Sequence, residues 1–287
     1  MPSVFQTAVT CFEYALALCG LVYSVVCLCW LFFSVRGRVA RVRPAALMAW
    51  DVTLSDFLLL GWFMLSFGFV GQLLLRIIAG PLSDTRSDSQ TLQLLLYGTM
   101  FHFGAVLTWP VARALARRRR AVASQPSAPT TPGSVIQVVR GGSLTFLIVM
   151  PLALGAGFFW ERFLQAVGLP TDRQELVDLF AQTKSPALFA FLITLALVLA
   201  PVAEELVFRA GIFRFLRSRT PRWVAFVVSA GLFASLHGNW VSSLPLFILG
   251  LVFAAGYERT GRIAVPMLAH ALFNLNTLLL VLSGVGG

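Results

Sequence analysis

Lysine occurs once in this 287-residue chain, at Lys184, histidine three times, and charged residues of every kind make up only 12%. Soluble domains carry about a quarter charged residues, so so little charge excludes a water-soluble domain of useful size. The four cysteines, Cys11, Cys19, Cys27 and Cys29, all lie in the first apolar run. That placement excludes an extracellular disulfide framework and a zinc ribbon and leaves them as small packing residues. What is present is apolar: 58% hydrophobic residues and a mean hydropathy of +0.83, values of an all-α, polytopic membrane helix bundle.

A membrane-crossing helix needs about 20 apolar residues, and eight runs qualify: 11–35, 54–78, 91–112, 142–160, 186–208, 222–237, 242–257 and 263–283. No basic residue precedes the first run, and it is too long for a cleaved signal, so it is expected to stay as a helix. Arginines mark the ends: Arg36 to Arg43 after the first run, Arg117 to Arg120 after the third, Arg214 to Arg222 after the fifth, Arg259 and Arg262 after the seventh. By the positive-inside rule these loops are cytoplasmic and both termini face outward. The opposite loops carry acids, among them Asp84, Asp88, Asp172, Glu175 and Asp178. The net charge of +10 therefore gathers on the inner face, where anionic lipid headgroups are the expected partner; no folded module presents it to nucleic acid. Use of arginine in place of lysine points to a GC-rich genome, hence to a bacterium and its inner membrane.

Composition breaks once. The segment 121–140 opens with Pro-, Ser- and Thr-rich sequence after four arginines and reads as a flexible cytoplasmic linker. It divides an N-terminal three-helix region, 1–120, from a five-helix core, 141–287, that holds every candidate catalytic residue. Within the second part, Val167 to Asp172 reads as a turn, and Arg173 to Gln182 as an amphipathic stretch along the outer surface.

Charge inside a membrane is costly and rarely kept without a use. Glu204, Glu205 and Arg209 nevertheless follow the apolar run 188–203, and His237, His270 and Asn274 occupy equally apolar settings. Positions four apart share a helix face, so Glu205 pairs with Arg209 while Glu204, about 100° around, is left over. A spare carboxylate of this kind suits a general base. His270 and Asn274 are also four apart and can converge on one oxygen atom, as an oxyanion hole requires. At 1.5 Å per residue, Glu204 lies roughly 15 Å from Arg214, His237 roughly 22 Å from Arg222, His270 roughly 12 Å and Asn274 roughly 18 Å from Arg262, which is one layer below the cytoplasmic surface. Phe233 is expected to wall that layer. His102, Glu13, Asp56, Gln72 and Arg76 are expected to be structural or interfacial.

Glu-Glu-x-x-x-Arg, then Phe-x-x-x-His, then His-x-x-x-Asn, in this order and within predicted helices, resembles the CPBP family, the CAAX-protease and bacteriocin-processing intramembrane endopeptidases. The likeness covers about 151–283, including Gly168-Leu169-Pro170 and Phe208-Arg209-Ala210-Gly211; spans one to three lie outside it. The resemblance implies that Glu204 with His237 activates a water for attack on a peptide bond, that His270 and Asn274 stabilise the oxyanion, and that Glu205, Arg209 and Phe233 support the site. The expected substrate is a membrane protein or peptide. Motifs of the rhomboid, presenilin and site-2 protease kinds are absent. A Glu/His/His set could hold zinc, but the sequence has no His-Glu-x-x-His and nothing in it demands a metal, so cofactor-free catalysis is expected. Two rivals stay open: a noncatalytic membrane scaffold or immunity protein that keeps the protease fold, and a zinc-dependent form of the same peptidase. A proton-coupled transporter is disfavoured because the halves show no inverted repeat.

Overall fold

A computed structural model describes residues 3–34, 47, 50, 52–79, 87–122, 134–171, 180 and 185–284. Among them every regular element is helical: α1 (Val4–Phe33), α2 (Leu54–Ala79), α3 (Ser87–Val122), α4 (Val135–Ala166), α5 (Pro186–Arg217), α6 (Arg222–Ser235), α7 (Trp240–Thr260) and α8 (Ala264–Ser283). Of these, α1, α2, α4, α5, α7 and α8 are each long and apolar enough to cross a membrane. The protein is an integral membrane protein. The remaining two expected spans correspond to α3, of 36 residues, and to the shorter apolar helix α6.

Two boundaries differ from the sequence expectation. The helix α3 runs on to Val122 and α4 begins at Val135, so both ends of the 121–140 segment are helical. Charge does not stop a helix; the arginines after Trp109 are good helix formers and carry α3 beyond its apolar part. The middle of the linker, the arginine loop 36–43 and the amphipathic stretch at 173–182, apart from Phe180, lie outside the described residues.

The chain folds as two compact units, each drawing on sequence from both sides of the linker. One unit comprises Met1–Met48, Gly133–Gln182 and Phe226–Gly287. Its centre is α4, which packs against α1, α7 and α8. Small residues let the backbones approach, as in membrane bundles generally. A Cβ on Gly250 of α7 would come 2.9 Å from the Cα of Ala230 on α6, and one on Gly142 of α4 would come 2.8 Å from Leu268 of α8. Val149, Met150, Phe233, Leu249, Phe253 and Val265 are buried around these approaches. Between α1 and α8 the Asn276 amide donates to Glu13 Oε2 at 3.2 Å.

The other unit comprises Ala49–Pro132 and Thr183–Ala225. Here α2 packs along α3, and a Cβ on Gly104 would strike the Met64 carbonyl. The end of α5 is fastened to the start of α2. Trp50 N–H donates to Ser218 Oγ at 2.9 Å, and the Arg219 guanidinium donates to the carbonyls of Trp50, Val52 and Phe215. Phe57 stacks on Phe215 with ring centroids 4.0 Å apart, closing a cluster with Trp50, Val52, Leu60 and Ala112. Arg219, expected only as an inward-facing charge, thus joins two chain segments 167 residues apart.

Candidate active site

The candidate acidic residues stand on α5. Ser185 caps it by accepting from Leu188 N–H, and Pro186 follows at the first helical position, where its missing N–H costs nothing. The helix is not uniform: Leu195–Leu199 and Leu206–Phe213 are π-helical, with a short α segment, Ala200–Glu205, between them. Pro201 supplies a reason for the first irregularity, because it has no N–H to continue the α ladder and its ring crowds the carbonyl one turn back. Gly211 lies in the second, where a Cβ would sit 3.3 Å from the Leu206 carbonyl. Wide turns of this type are frequent at functional sites. Glu204 and Glu205 end the α segment between them.

Glu205 and Arg209 are both fully buried, and their Oε1 and Nη1 atoms lie 2.8 Å apart. The expected pairing is therefore present, and its burial makes each charge dependent on the other. Arg209 also lies within electrostatic reach of Glu204 and has its guanidinium carbon 6.0 Å from the Phe208 ring centre. Glu204 is not left over. Its Oε1 lies 3.8 Å from Nε2 of His102 on α3, and the two side chains keep 20% and 27% of their surface exposed.

The candidate histidines His237 and His270 belong to the other unit. The helix α6 ends at Ser235, and His237 follows in the turn, where Gly238 takes the left-handed φ of 61° that glycine adopts without strain. Because the helix stops short of His237, the rise of 1.5 Å per residue used to estimate its depth holds only as far as Ser235. His237 Nδ1 is 2.8 Å from the Phe233 carbonyl, an arrangement that fixes the ring and assigns its chemistry to Nε2. Asn239 then caps α7 by accepting from Ser242 N–H at 2.9 Å. His270 is buried on α8, and Asn274 follows one turn later, half-buried on the same helix.

Phe233, expected as a wall, is fully buried between the two histidines. Its ring centre is 4.9 Å from that of His237 and 6.0 Å from that of His270, with edge-on geometry in both cases; Phe253 meets His270 from another side at 5.5 Å. One unit thus gathers Phe233, His237 and His270, and the other gathers His102, Glu204, Glu205 and Arg209. Among the described residues no three His, Cys, Asp or Glu side chains cluster as metal ligands. The sequence reading missed the place of His102. Its being one of only three histidines, in an apolar run, was the available signal.

Comparison with known proteins finds likeness in the second half of the chain. Residues 186–276 match the profile of the Rce1-like family, described as type II CAAX prenyl endopeptidase Rce1-like. This segment encloses Glu204, Glu205, Arg209, Phe233, His237, His270 and Asn274. YdiL of Bacillus subtilis (strain 168), named as a candidate membrane peptidase, is 32% identical over 33% of this chain and 38% of its own length. The membrane-embedded CAAX protease MroQ of Staphylococcus aureus (strain USA300) is 36% identical over 27% of this chain and 34% of its own. An uncharacterized 24.3 kDa protein of Escherichia coli is 27% identical over 62% of this chain and 80% of its own. The match therefore spans little more than a third of each relative with a peptidase name. No solved structure matches the chain.

Proposed function

We propose that this protein is an intramembrane endopeptidase that hydrolyses a peptide bond of a membrane-associated protein or peptide. The observation that carries the reading is the enclosure of all four candidate catalytic residues, together with the buried Glu205–Arg209 pair, in one 91-residue family segment, 186–276. In this reading Glu204, as carboxylate, takes a proton from a water that His237 Nε2 orients, and the water oxygen bonds to the scissile carbonyl carbon. The carbonyl oxygen becomes an oxyanion, stabilised by donors from the His270 ring and the Asn274 amide. The proton held by Glu204 then passes to the amide nitrogen as the C–N bond breaks, yielding a carboxylic acid and an amine. Glu205 and Arg209 neutralise each other and hold the α5 backbone that carries Glu204.

No step in this scheme needs a metal, and we assign the reaction to carboxylate chemistry on the donor set: one acid, two histidines and an amide. In the same reading the arginine-rich loops face the cytoplasm of a bacterial cell, so that the protein lies in the inner membrane with both termini outside and anionic headgroups along its inner face. The deciding experiment compares cells lacking the protein with cells restored by wild type or by Glu204→Gln, scoring membrane peptides by mass spectrometry. Precursor peptides should accumulate in the deletion strain and in the Glu204→Gln strain alike. Restoration by Glu204→Gln would leave a noncatalytic scaffold as the function.

A further inference from the structure

His102 lies outside the family segment, on α3, yet Nε2 of its ring is 3.8 Å from Oε1 of Glu204. That distance is just beyond a hydrogen bond, and such contacts in an empty site commonly tighten when substrate binds. A small rotation of the Glu204 side chain closes it. The other ring nitrogen, Nδ1, is buried with no hydrogen-bond partner among the described residues. A neutral imidazole carries one proton, and a proton on Nδ1 would have no acceptor there; it belongs on Nε2, facing the carboxylate. Glu205 and Arg209 stand on the same helix as Glu204, where they pair with each other, and His102 faces Glu204 from α3.

We infer that His102 is a positioning residue for Glu204, donating from Nε2 to one carboxylate oxygen and so fixing the direction in which the other meets the catalytic water. This rests on the assignment of Glu204 as general base. It makes the N-terminal region a contributor to the reaction rather than an anchor for the peptidase segment. A donor to the ionised carboxylate favours that form, which gives His102 an effect that packing alone lacks.

The test uses the full-length protein in liposomes and compares wild type, His102→Leu, His102→Gln and Glu204→Gln. With a peptide substrate taken from the accumulation experiment, His102→Leu should lower kcat about tenfold, leave KM within about twofold, and displace the acid limb of the pH profile toward neutrality by about one unit. His102→Gln, which keeps a neutral donor, should recover most of kcat. A second readout needs no turnover: the protonated-carboxyl infrared band that vanishes in Glu204→Gln should titrate about one pH unit away from its wild-type midpoint in His102→Leu, in the same sense. An unmoved band overturns the inference, as does an unmoved acid limb with kcat within twofold of wild type. A moved band in a protein that cleaves no peptide upholds the His102–Glu204 pairing and removes the peptidase reading instead.

Discussion

The acid-bearing helix and the histidine-bearing helices hold their functional groups by different forces. On α5 the groups are ionic: Glu205 and Arg209 are buried without exposure and matched one to one, so each is tolerable only while the other is there. Around His237 and His270 the supports are neutral, a backbone carbonyl for His237, the Phe233 ring for both and the Phe253 ring for His270. A missing ion partner leaves a charge in a medium that cannot solvate it. A missing ring contact leaves a gap. The acid side should therefore fail first in folding, the histidine side first in chemistry.

The largest effect expected from this contrast is that of Arg209→Ala, which strands Glu205 and should cost about 3–5 kcal/mol of stability. Lost protein in membranes and a lowered melting temperature in detergent would register it, and Arg209→Leu combined with Glu205→Gln should recover most of the loss. If Arg209→Ala were stable and merely inactive, the arginine would be acting on substrate and the contrast would break. Next come Glu204→Gln, His237→Ala and His270→Ala, each expected to lower peptide cleavage at least about 100-fold with little change in melting temperature. A turnover near wild type in any one of them removes that residue from the mechanism. Asn274→Ala should be milder, about tenfold in kcat, because the His270 donor remains. The smallest effect, none, is expected from exhaustive treatment with EDTA and phenanthroline. Activity lost to chelators and restored by stoichiometric zinc would recast Glu204, His237 and His270 as ligands.

Much of this was legible in the sequence because it is local. Apolar length announces the helices, and the i, i+4 spacing announces the Glu205–Arg209 pair. What was not legible depends on contacts distant in the chain or on backbone the α-helix template does not contain. His102 and Glu204 are separated by about a hundred residues, and no spacing rule connects them. Arg219 reads as a membrane-boundary charge until the carbonyls of Trp50 and Val52 are seen within its reach. The end of α6 at Ser235 was hidden because Leu236 and His237 continue the apolar pattern; only Gly238-Asn239, followed by a new capped helix, marks the break.

The wide turns of α5 make position on that helix a matter of phase. Each π turn takes up residues that a regular helix would have spread farther around its axis, so the Glu204-Glu205 pair presents itself at an angle set by the turn at Leu195–Leu199 before it and the one at Leu206–Phe213 after it. An exchange of side chain within those turns leaves the phase alone. Removing one residue does not: one position in an α-helix is about 100° of rotation, enough to swing Glu204 off the face that His102 meets while every residue of the site is still present. The segment between Leu195 and Phe213 therefore constrains insertions and deletions more tightly than substitutions, and its length is as much a part of the candidate site as any of its side chains.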